Sequence, residues 1–68
     1  MPELNSRQAG EVVGTSDETI RRYVNLGLLP ARQQGVRKLI RIEITDLEQF
    51  AEEYGFRFDR SLADQLSS

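Results

Sequence analysis

Six cations stand in the middle of this 68-residue chain with no acid among them: Arg21, Arg22, Arg32, Arg37, Lys38 and Arg41 all fall within residues 19–42. Guanidinium and ammonium groups in such a run make and break no bonds. They attract a polyanion, and Arg can in addition fork onto a phosphate or a base edge with two parallel hydrogen bonds. The rest of the chain has the opposite sign. Residues 1–18 set Arg7 against Glu3, Glu11, Asp17 and Glu18, net −3, and residues 43–68 set Arg57 and Arg60 against seven acids, net −5. The overall charge of −2 therefore hides a block of +6, which can act locally on a partner that the whole chain would not draw. A basic surface that only stays solvated has the same composition, so charge alone leaves both readings open.

Other chemistry is harder to assemble. There is no Cys and no His, which removes thiolate nucleophiles, disulfides and the common imidazole base or metal ligand. Glu43, Asp46, Glu48, Glu52 and Glu53 are the remaining candidates for acid–base or metal work, but most point outward from a helix, and Asp46 and Glu48 serve its N-terminus. The expectation is no enzyme, no catalytic residue, no cofactor and no metal site. No apolar run approaches the ~18 residues of a membrane span, and Met1-Pro2-Glu3-Leu4 lacks the basic, apolar start of a signal peptide, so a cytoplasmic location is expected. With 38% hydrophobic and 29% charged residues the chain suits one small, compact domain.

The positioning elements follow from spacing. Asn5 or Ser6 can cap a first helix, with Gln8 in capping-box position and Ala9, Val12 and Val13 on one face, stopped by Gly14. Ser16 can cap a second, in which Ile20, Tyr23 and Val24 share one face while Glu18, Arg21, Arg22 and Asn25 share the other, ending at Gly27 before Pro30. Residues 32–42 read as a β-hairpin turning at Gln33-Gln34-Gly35. Thr45-Asp46-Leu47-Glu48 reads as a capping box opening a third helix with Leu47, Phe50, Ala51 and Tyr54 inward, closed by Gly55. Tyr23, Phe50 and Tyr54 are expected in the core. Phe56 and Phe58 either pack over the third helix or form a docking patch, and Ser61–Leu66 can form a short fourth helix with Leu62, Ala63 and Leu66 inward.

Helix, tight turn, basic second helix and basic hairpin make the layout of a winged helix-turn-helix, with the second helix entering the DNA major groove and the hairpin as wing. The expected fold class is mainly α with a small β-hairpin, the DNA-binding unit spanning residues 1–55 and residues 56–68 forming a C-terminal tail. Thr19-Ile20-Arg21-Arg22-Tyr23, Gly27-Leu28-Leu29-Pro30-Ala31-Arg32 and Gly35-Val36-Arg37 resemble the DNA-binding domain of MerR-type regulators. Leu4-Asn5-Ser6-Arg7-Gln8-Ala9, Arg41-Ile42 and Asp46-Leu47-Glu48-Gln49-Phe50 bring the chain closer to the excisionases, small phage and mobile-element proteins with a MerR-like winged helix. The resemblance covers roughly residues 4–54. MerR regulators usually continue into a long dimerising helix, for which residues 56–68 leave little length. Glu18 stands where MerR-type sequences often have Arg, and Arg22 where they often have Tyr, so base preference does not carry over.

By that resemblance Arg21 matches the cation that grips phosphate or base from the second helix, and Arg37 the wing Arg on phosphate. Geometry adds Thr19, Arg22 and Asn25 from the second helix, since Arg and Asn can pair in bidentate fashion with guanine and adenine edges. From the wing, Arg32, Gln34 and Lys38 are added, where a narrow minor groove favours inserted cations. The alternative for Arg22 is a weak ion pair with Glu18 one turn earlier. The resemblance implies a recombination directionality factor, monomeric in solution, that binds and bends attachment-site DNA for an integrase, several copies side by side. A small MerR-like transcriptional regulator or phage repressor is the alternative within this class, and a protein-interaction module with a vestigial helix-turn-helix is the alternative outside it.

Overall fold

Asn5 opens the first helix in the way its spacing predicts. Its side chain accepts from the Gln8 amide at 2.8 Å while the Gln8 side chain accepts from the Asn5 amide at 3.0 Å, so two donors at the helix start satisfy each other's acceptors. The computed structural model describes residues 3–37 and 39–67. Their order is β1 (Glu3–Leu4), α1 (Ser6–Val13), α2 (Asp17–Asn25), β2 (Arg32–Gln34), β3 (Leu39–Glu43), α3 (Ile44–Tyr54) and α4 (Arg60–Ser67). The fold is mainly helical with a small three-stranded antiparallel sheet ordered β1-β3-β2.

The turn from α1 to α2 is set by two glycines and a serine. Gly14 leaves α1 in the left-handed region at φ 76°, where a side chain is strained. Ser16 caps α2 by accepting from the Thr19 amide at 3.2 Å. Inside α1, the Gly10 carbonyl accepts from the Thr15 amide at 2.8 Å, and a Cβ on Gly10 would stand 2.8 Å from the Thr15 carbonyl oxygen. Only glycine lets the turn lie this close. Gly10→Ala should therefore lower stability by about 1–3 kcal/mol through overpacking against backbone, read as a fall in the urea midpoint. An unchanged midpoint would mean that the turn shifts freely.

Leu4, Ile20, Ile42 and Leu47 are fully buried at the centre of the core, with Val12, Leu29 and Phe50 around them. β1 carries no signal of its own, because two residues are too few to show alternation. It becomes a strand by pairing, Glu3 opposite Glu43 and Leu4 opposite Ile42. The expected hairpin tip is also corrected. Gln33 and Gln34 belong to β2, opposite Ile40 and Leu39, and the reversal begins at Gly35 with φ 74°. Burial of Ile42 and partial burial of Ile40 fix the face of β3, and a one-residue slip would turn both outward.

Nor does the Thr45–Glu48 capping box form. The chain passes from β3 straight into α3 at Ile44, which is buried, and Glu43 at the N-cap makes no side-chain cap bond. Glu48 instead accepts from Arg60, and that bond holds the Arg60 guanidinium pKa above its usual value.

The aromatic groups mostly follow expectation. Phe50 is buried, with Tyr23 edge-on at 5.1 Å and Phe56 stacked at 5.4 Å between ring centroids. Tyr54 departs from it, since at the last turn of α3 its side of the core has ended and it is 42% exposed while still touching Phe50. Phe56 and Phe58 pack back against the core. Asp59 then caps α4, accepting from the Leu62 amide at 3.1 Å, and its own amide donates to the Val12 carbonyl at 3.0 Å. The helix begins one residue before the expected Ser61, packs on α1 and β1, and buries Ala63. Among the described residues no helix is long and apolar enough to cross a membrane.

Candidate nucleic-acid interface

Along α2, Asp17, Arg21 and Asn25 recur every four residues, and so share one side of the helix. Ile20 and Val24 face the core instead. Opposite that side stands the hairpin, and below it the start of α1. The three enclose a groove of about 680 Å³ whose lining includes Arg7, Arg21, Arg37 and Arg41, together with Asn25 and Gln33. Four arginines from α1, α2 and the hairpin thus line one groove. Asp17 and Ser6 also line the groove, and Asp17 is the one carboxylate among its lining residues.

One wall is held by a hydrogen-bonded set. Ser6 is buried, and its hydroxyl donates to Asp17 Oδ1. Arg21 Nε lies 3.4 Å from Ser6 Oγ, to which it donates, and 3.3 Å from Asp17 Oδ1. The Arg21 side chain remains 61% exposed, so this pair adds little to stability. Its consequence is orientation, because Nε is engaged from beneath while the side chain faces the groove.

Of the residues expected to make contacts, the groove brings together Arg21, Asn25 and Arg37. The other described ones lie elsewhere. Thr19 is half-buried, and its hydroxyl is 2.9 Å from that of Ser16 within the α2 cap. Arg22 sits on the next ridge of α2, 4.0 Å from Glu18 and 68% exposed. Arg32 pairs with Glu3 and lines a smaller cleft of about 280 Å³ together with Glu43, Asp46 and Arg41, its partner across the ladder, so that Arg41 borders both clefts. Gln34 is exposed and two residues along β2 from Arg32, hence on the same sheet face. Lys38 lies outside the described residues.

Arg7, Gln33 and Arg41 were not among those expected contacts. For Gln33 a signal existed, since strand parity puts it on the face of Ile40, its partner across the ladder. Arg41 belongs to the basic block, but its half-buried place in the middle strand appears only once β1 makes β3 central. Arg7 carries no local signal, because it reaches the groove only through the packing of α1 beside α2.

Among the described residues no group of three or more acids is placed to hold a metal ion. A family model described as a helix-turn-helix domain matches residues 3–55. No curated protein and no solved structure matches the chain.

Proposed function

The chain belongs to the helix-turn-helix domain family, and from that premise we propose that it binds duplex DNA as an excisionase-type recombination directionality factor. The observation that carries the DNA reading is the convergence of Arg7, Arg21, Arg37 and Arg41 on one groove between α2 and the hairpin. A duplex fits such a surface with the exposed ridge of α2 in the major groove and the turn at Gly35–Arg37 over the neighbouring backbone and minor groove. Arg21, Arg22 and Asn25 then read base edges, while Arg7, Arg37 and Arg41 neutralise phosphates. Thr19, Gln34 and Lys38 complete the proposed set at its margins. Arg32 joins only by exchanging Glu3 for a phosphate.

The reading includes no catalysis. Binding and bending of an attachment site would serve an integrase, and the resemblance to excisionases supports that role over a general one. The acidic outer side of α3, where Glu52 and Glu53 are exposed, and the α4 end are proposed to meet integrase or a neighbouring copy on DNA, the chain being a monomer in solution.

Titration of a labelled duplex at several salt concentrations tests the DNA reading. With Arg7, Arg37 and Arg41 engaging phosphates, log affinity should fall against log salt with a slope of about −3. Absent binding, or affinity indifferent to salt, would count against it and for a protein-interaction module. Footprinting then separates roles: protection beside an integrase site supports the directionality factor, whereas protection over a promoter with altered transcription supports a small regulator.

A further inference from the structure

The groove contains a carboxylate where a polyanion is expected to bind, and Asp17 could have been replaced by a neutral residue at lower electrostatic cost to that binding. Its position explains what it offers. Asp17 and the buried Ser6 hydroxyl both approach Arg21 through Nε, and the hydroxyl also donates to Asp17. A guanidinium gripped at Nε loses freedom about its last torsions, yet its two terminal nitrogens, the pair suited to a guanine edge, take no part in those two contacts. The carboxylate also sets a repulsion against phosphate at the same point. A duplex that offers only backbone charge therefore gains less here than one that offers a correctly placed base edge.

We propose that Asp17, with Ser6 beneath it, is a positioning residue that aims Arg21 at a base and so sets sequence discrimination at the expense of general affinity. This rests on the DNA-binding reading above. Without the carboxylate, Arg21 is a mobile cation that any phosphate can satisfy.

The full chain should be titrated against two duplexes: the sequence that it enriches from a randomised pool, and a scrambled version. Asp17→Asn should lower the ratio of the two affinities about five- to tenfold, the range expected of coupled neighbours, while affinity for the scrambled duplex stays equal or rises. Ser6→Ala should shift the ratio the same way by less. In an Arg21→Ala background, Asp17→Asn should leave the ratio unchanged, because the group it positions is gone. Thermal melts of each variant report folding separately. A ratio that survives Asp17→Asn overturns this inference alone, and so does an equal loss on both duplexes, the mark of a merely structural role for Asp17. A parent chain that binds neither duplex overturns the DNA reading and this inference with it.

Discussion

Replacing Arg21 and Arg37 together by Ala should weaken duplex binding on the order of a hundredfold near ~0.1 M salt and flatten the salt dependence by about one contact, that of Arg37. The two residues stand on opposite walls of one groove, Arg21 on α2 and Arg37 at the hairpin turn, so a duplex lying across it meets both. Their single effects should differ in kind. Arg37→Ala removes a phosphate partner and should lower affinity about equally on every sequence, whereas Arg21→Ala should also relax sequence preference by ~1–3 kcal/mol. Arg32→Ala supplies the control. Its guanidinium pairs with Glu3 and lines the smaller cleft, and an exposed pair of this kind has little effect, so binding should change by less than about threefold. If Arg32→Ala matched the double substitution, the binding surface would lie on the other side of the sheet.

Removing residues 56–68 should abolish cooperative folding. These residues lie beyond the family match, which ends at residue 55, and Gly55 ends α3 there in the left-handed region. Yet the segment completes the core. Phe56 stacks on Phe50, Ala63 is fully buried, and Leu62 and Leu66 pack beside it. The Asp59 amide occupies the Val12 carbonyl at the end of α1, and the Arg57 side chain lies over Gly14, where an added Cβ would come within 2.6 Å of Nε. Loss of one buried aromatic already costs about 3–5 kcal/mol, and a core of this size rarely supplies more than ~3–5 kcal/mol in all. The 1–55 fragment should therefore show no sigmoidal urea transition by circular dichroism. A fragment that melts as sharply as the full chain would show that α4 is an accessory. Ala63→Asp makes the same point without truncation, since an unpaired carboxylate would be placed in the apolar centre.

Order and type of the helices were legible because each rests on a local cause: Asn5 with Gln8, Ser16 with Thr19, glycines at the exits, and apolar residues every three or four positions. So was the sign of the working surface, since residues 19–42 hold six cations and no acid. Local signals failed where a partner distant in sequence decided the outcome. Glu3–Leu4 became a strand only because β3 lay beside it, and Ile44 entered α3 because the core drew it in, which displaced the expected cap at Thr45. The same holds for the groove. Composition could name six cations but could not separate Arg21 and Arg37, which line the groove, from Arg32, which a carboxylate on β1 holds at the smaller cleft, or show that Arg41, opposite Arg32 on the ladder, lines both. Arg7, from the acidic first segment, joins them only through the packing of α1 against α2. Spacing along a chain fixes which side of its own helix or strand a residue takes; which sides then face one another depends on how the elements pack, and only the tertiary structure decides that.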